Sequence, residues 1–229
     1  MKLLTKILAP AGLALCAVAA TVPATAQVQG NVATADVSRA LIGSSALQTA
    51  YTQIGTTYAA QIEQRQTKQQ QLATLLQPFD SNGNGQLDDS EVPAIQSSAN
   101  FGQIQTLEGE VAALSNQVNG ARIFAVEQIL AQYPAALTDV TTQQQIVMVM
   151  QPETVQFAAQ GADITAQITT ALNTRVPSVG IVPPAEWRPS RNAAQIFQEI
   201  QQTLLTAQLI QQQQAAQQQA PATPAPSGR

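Results

Sequence analysis

The sequence predicts an α+β fold, mainly α, in which a long antiparallel helical hairpin of coiled-coil type stands on a small β-strand body. Three observations predict it. The apolar positions run Leu47, Tyr51, Ile54, Tyr58, Ile62, Leu72, Leu76 and Phe79, and then again Ile104, Leu107, Val111, Leu114, Val118, Ala121 and Ala125. Both runs largely keep steps of three and four, the spacing of one helix face, and the second reads as a coiled-coil seam. Only a tight polar loop lies between them, so each apolar stripe has the other as its nearest partner and the two segments pack antiparallel. Short β-like runs lie outside this pair, at residues 32–37, 145–150 (QIVMVM) and 154–158 (TVQFA).

The first residues read as an address. Lys2 and Lys6 open the chain, residues 7–20 are largely apolar, and Ala24-Thr25-Ala26 forms a small-residue cleavage site, so residues 1–26 are a signal peptide. The apolar run is short and carries Pro10 and Gly12, which fits export better than a stable membrane span. Cys16 lies inside it behind Leu15, where a lipidation signal needs a small residue. A mature chain beginning at Gln27 then has no cysteine, hence no disulfide and no thiol chemistry.

The sequence contains no histidine, which removes Ser-His-Asp and Cys-His catalysis and imidazole-bound zinc. The chain therefore reads as a binding protein and not an enzyme. Formal charge is -4, and loss of Lys2 and Lys6 takes it to -6, so nucleic acid is a poor partner. Charged residues are only 10% of the chain. Gln, Ala and Thr fill the polar positions instead, a surface better suited to uncharged or apolar contacts than to electrostatic steering.

Taken in order, residues 32–37 alternate as a strand and residues 38–47 turn helical. The hairpin follows over residues 45–134. At 1.5 Å per residue the segment 47–78 makes an arm of about 45 to 50 Å. Its first helix stops at Pro78, its second begins beyond Pro93, and Tyr133-Pro134 ends it. The runs 145–150 and 154–158, separated by Gln151-Pro152-Glu153, read as a β-hairpin. Asp163 caps a helix with Ile164, Ile168, Ala171 and Leu172 on its apolar face. Residues 176–189 (VPSVGIVPPAEWRP) form a proline-punctuated strap that Trp187 anchors to the body, in preference to stacking on a ligand. Residues 193–214 form a further helix with Ile196, Ile200, Leu204 and Leu205 on one side, fading into a disordered Gln- and Pro-rich tail. The domains are thus 1–26, 27–175 and 176–229.

The loop between the two arm helices carries the sharpest chemical signal. Residues 80–91 (DSNGNGQLDDSE) match D-x-[DN]-x-[DN]-G-x₅-E at every specified position, the pattern of an EF-hand calcium loop. A hard cation needs several oxygen ligands from a short segment. Asp80, Asn82 and Asn84 offer side-chain oxygens at positions 1, 3 and 5, and Gly85 makes the turn at 6. Gln86 presents its backbone carbonyl at 7, Asp88 ligates at 9, and Glu91 closes the sphere at 12. The simpler reading of the same residues is a polar Asn/Gly/Asp turn. One loop with two Asn ligands points to Ca²⁺ bound at about 10⁻⁴ M, a structural ion more than a switch. Leu75, Leu76 and Phe79 before the loop and Val92 and Ile95 after it are spaced for packing across it.

The order of elements resembles the Skp/OmpH family of periplasmic chaperones. The residues that carry the resemblance are the A-x-A-D-V-x-R-A pattern at 33–40, the hairpin, and the helix motif of Ile123, Ala125, Val126 and Ile129. The others are the β-like pair and ADITAQITTALN at 162–173. The resemblance covers residues 32–172. It implies a homotrimer in which strands of three subunits build a β body, here 32–37, 146–150 and 154–158, from which three arms, here 47–133, enclose a cavity. It also implies that unfolded outer-membrane proteins are held there without ATP, in the periplasm, as part of outer-membrane protein biogenesis. This chain departs from the family in being acidic, in carrying the calcium loop at the arm tip, and in its segment after Val176. The competing expectations are a calcium-dependent adaptor and a structural coiled-coil protein of the cell envelope.

Overall fold

The computed structural model describes residues 31–85 and 88–219. The expected signal peptide, Gln86 of the loop and the tail beyond Gln219 lie outside the described residues. The chain is mostly helical with one two-stranded sheet, as its periodicity predicts.

β1 (Asn31–Thr34) lies parallel to β2 (Ile146–Met150), with Val32 opposite Met148 and Thr34 opposite Met150. On its other side β1 bonds to residues 162–164, through Thr34 N–H to the Ala162 carbonyl (2.8 Å) and Ile164 N–H to the Thr34 carbonyl (2.9 Å). α1 (Val37–Ile42) starts directly after, because the Asp36 carboxylate accepts from Arg39 N–H at 2.9 Å and caps it. Val37 is therefore the first helical residue, not the last of the strand.

The arm begins with α2 (Ser45–Thr57), capped by Ser44, and continues as α3 (Ala59–Leu76) after an irregular residue at Tyr58. A single 3₁₀ turn, Gln77–Phe79, carries Pro78 into the loop. The return is α4 (Val92–Gln96), then α5 (Phe101–Leu130). Pairings along the arm fix its direction. Ile54 and Tyr58 pack with Val118 and Ala121, and further out Lys68 Nζ meets Glu110 Oε2 at 2.6 Å. The residue number rises on one helix as it falls on the other, so the hairpin is antiparallel. Ile104, Leu107, Val118, Ala121 and Ala125 are buried along the predicted seam. No residue of α3 is fully buried, and the distal arm is thin and polar.

α6 (Tyr133–Gln143) follows α5 without leaving the body, and it was not expected. Pro134 starts this helix instead of stopping the chain, since proline is tolerated in a first turn whose amides have no partner in any case. α7 (Thr165–Arg175) and α8 (Arg191–Gln219) complete the chain. Asp163 does not take the cap position expected of it: Ile164 is the N-cap, with no side-chain cap bond, and Asp163, one residue earlier, accepts from Thr165 N–H at 2.9 Å.

The core sits at the root of the arm. Ala33, Ala40, Leu41, Leu47, Val126, Ile129, Ala136, Val140, Ile164, Ile168 and Leu172 meet there with Ile196, Phe197 and Ile200 of α8. Strap and terminal helix thus share one core with the residues before Val176.

The expected β-hairpin does not form. Residues Pro152–Thr154 make a 3₁₀ turn, and 154–158 pair with nothing among the described residues, leaving Phe157 85% exposed. After the 3₁₀ turn the chain runs on extended at Val155 (φ -110°, ψ 118°) and does not fold back along β2, which takes β1 as its partner. Of the apolar residues of α8, Ile196 and Ile200 are buried in the core, whereas Leu204 and Leu205 are exposed.

Candidate functional site

The tip loop is built around three carboxylates that accept hydrogen bonds from the loop's own backbone. Asp80 accepts from Asn84 N–H (3.1 Å) and Gly85 N–H (2.8 Å), so the chain curls back on its first acidic residue. That curl requires left-handed backbone at Gly83 (φ 69°) and Gly85 (φ 74°), where a side chain would be strained. Asn82 Oδ1 also accepts from Asn84 N–H at 2.9 Å, and Asn82 Nδ2 donates to Asp88 Oδ2 at 3.0 Å. The Ser90 hydroxyl and backbone amide hold the Asp88 carboxyl below the usual carboxylate range.

Glu91 lies at the base of the loop and is 3% exposed. Its Oε1 accepts from Ser81 N–H (2.7 Å) and the Ser81 hydroxyl (2.9 Å), and its Oε2 from Asp88 N–H (3.2 Å). It spans the two ends of the loop, while its own carbonyl receives the first amides of α4. A buried carboxylate whose donors are all neutral sits in a surrounding that favours a further positive partner. Ile95 is buried beneath it and Val92 faces outward. Of the predicted ligands, Asn82 and Asn84 are linked to Asp80 and Asp88 in one network, Glu91 joins it at Asp88, and Gln86 lies outside the described residues. Among the described residues no three acidic side chains converge into a metal-holding cluster. Every donor is nevertheless an oxygen, carboxylate or amide, which is the chemistry of a hard cation and of no softer metal. Ser81 and Ser90, which orient the acids, carry no sequence signal beyond lying next to them.

A second arrangement at the arm root fixes the strap. Phe124, Glu127 and Gln128 share one face of α5, at i, i+3 and i+4. Phe124 meets Trp187 edge to face at 5.3 Å, and Glu127 Oε2 accepts from Trp187 Nε1 at 2.7 Å. Glu127 Oε1 accepts from Ser190 N–H at 3.1 Å. Gln128 bonds Gly180 twice, donating to its carbonyl and accepting from its amide, both at 2.9 Å. Burial would raise the Glu127 carboxyl, but the bonds from Ser190 and Trp187 outweigh it and hold the group low. Trp187 is thus the anchor that the strap's composition suggests.

No protein-family model matches the chain, and no curated protein matches it. Among solved structures it is similar to a candidate outer-membrane chaperone (OmpH-like) from Caulobacter crescentus. The two are 16% identical, with a TM-score of 0.40, and the match covers 70% of this chain and 95% of that one. Among the described residues no helix is long and apolar enough to cross a membrane.

Proposed function

We propose that this chain is an ATP-independent holdase of the periplasm that binds unfolded outer-membrane proteins as a homotrimer, with one Ca²⁺ at the arm tip. The observation that carries the reading is a slender two-helix arm, residues 45–130, rooted in a small body built around parallel β1 and β2. Such an arm encloses nothing alone, whereas several arranged around one body form a cage.

The body offers what assembly needs. Among the described residues the outer edge of β2 has no strand partner. Val147, Met148 and Met150 are exposed on that strand. An apolar edge with unmet backbone groups is a template for pairing, and a neighbouring subunit supplies the partner.

At the tip, Asp80, Asn82, Asn84, Asp88, Glu91 and the backbone of Gln86 would hold the ion. Bound Ca²⁺ neutralises the acids and ties the two ends of the loop, keeping the arm helices in register. Holding a client needs no covalent step, in keeping with a chain that has no histidine and only Cys16.

The test is aggregation of a urea-unfolded outer-membrane β-barrel protein on dilution, followed by light scattering. The mature chain should suppress it, with saturation near three chains per client. Unchanged scattering at a large excess of chain would refute the holdase reading.

A further inference from the structure

The chain contains three Asn-Gly steps, Asn82-Gly83, Asn84-Gly85 and Asn119-Gly120. Such a step carries its own covalent chemistry. The glycine amide nitrogen attacks the side-chain amide carbon of the asparagine before it, since no Cβ hinders the approach. The new C–N bond closes a cyclic imide, and the side-chain nitrogen leaves as ammonia. Water then opens the ring at either carbonyl, giving aspartate or its isomer with the backbone routed through the side chain. No oxidant, enzyme or cofactor takes part. The fate of each step therefore depends on whether its glycine nitrogen is free to attack.

The fold restrains two of the three. Gly120 lies inside α5, where the helical ladder fixes its amide. Gly85 N–H donates to Asp80 Oδ2 at 2.8 Å. Gly83 N–H makes no hydrogen bond among the described residues. Residues 81–85 are all exposed, and nothing lies within 4 Å of where a Cβ on Gly83 would stand. Asn82 is also presented for attack. Its Oδ1 accepts from Asn84 N–H at 2.9 Å, which polarises the side-chain carbonyl. That bond closes a loop of atoms that already contains every atom of the imide ring.

We propose that Asn82 is a site of spontaneous deamidation, and that its aspartate product makes closure of the tip loop depend on a divalent cation. The dependence on a cation rests on the calcium reading of the tip, whereas the ring closure does not. Before conversion, Asn82 Nδ2 donates to Asp88 Oδ2 at 3.0 Å, so the loop is fastened by its own amide. Conversion puts an acceptor oxygen where that donor stood. Two carboxylates now face each other, repel, and lose the closing bond. A hard cation shared between them restores it, with a fourth acid added to Asp80, Asp88 and Glu91. Affinity in such loops rises with the charge of the ligands, so the converted loop holds calcium more tightly.

The experiment incubates the full mature chain in calcium-free, mildly alkaline buffer and follows each Asn-Gly peptide by mass spectrometry, with fragmentation that separates aspartate from its isomer. Acid should accumulate at Asn82 while Asn84 and Asn119 keep their amides. In urea, where no fold restrains them, the three should convert at comparable rates. An intact Asn82, equal conversion in the folded chain, or the same preference in urea would overturn the site. Asn82→Asp then represents the aspartate product in calorimetry. It should bind Ca²⁺ about tenfold more tightly than the wild-type chain. It should also melt below the wild-type chain in chelator, with the gap closed or reversed in excess calcium. If the two chains bind Ca²⁺ equally, the cation dependence is wrong and the calcium reading stands. If neither binds, the calcium reading and the cation dependence fall together, and the mass measurement still decides the site.

Discussion

Trp187 Nε1 and Glu127 Oε2 lie 2.7 Å apart, and this bond ties the proline-rich strap to the helix that forms the returning half of the arm. Because Ser190 N–H uses the other oxygen of the same carboxylate, one side chain sets where the strap ends and α8 begins. Glu127→Ala should cost about 1.5 kcal/mol, the low end for bonds to a charged group because the site is half exposed. Trp187 is the only tryptophan, so its emission reports the strap alone and should shift to the red. An unshifted spectrum would mean that Phe124 holds the indole unaided.

The same carboxylate predicts an acid response. Its bonds keep the Glu127 carboxyl below the usual range. A group whose folded pKa is depressed contributes stability above its unfolded value, about 4.3 for Glu, and that stability is lost as pH falls through the folded pKa. The strap should therefore be firm at neutral pH and loosen below about pH 4, seen as the same red shift. Glu127→Gln should remove this acid step.

Calcium should stabilise the chain by mass action. With a dissociation constant of about 10⁻⁴ M, about 1 mM Ca²⁺ adds about 1.4 kcal/mol. Differential scanning calorimetry should show the rise in the wild-type chain. Asp80→Ala and Glu91→Gln should abolish it without changing client binding. If Glu91→Gln instead abolishes partner capture while no holdase activity exists, the ion serves an adaptor.

Ile200 is fully buried where α8 enters the core, against the root formed by α1 and α5. Ile200→Ala should cost about 2 to 5 kcal/mol in urea unfolding, because little can collapse into the space. A loss below about 1 kcal/mol would mean that α8 is an appendage and not part of the core.

The arm was legible because its signal is local. Three-four spacing from Ile104 to Ala125 marks a face whatever else the chain does, and Pro78 and Pro93 bracket the loop. Trp187 was legible for a similar reason, being the residue type that its local task demands. Strand pairing was not, since β1 meets β2 more than a hundred residues later and no local pattern says which edge a strand will choose. Pro134 misled because proline both ends helices and begins them. Ile196, Ile200, Leu204 and Leu205 look alike in sequence, and only the folded body decides which of them are covered. In the loop, spacing located the acids, but the serines that orient them and the burial of Glu91 appear only once the chain is folded.

The most direct test of the central claim is the solution mass of the mature chain mixed with a urea-unfolded outer-membrane β-barrel protein, by light scattering behind size exclusion. The account predicts one soluble species containing three chains and one client, and a three-chain species when the client is left out. A monomer that elutes apart from an aggregated client would contradict it.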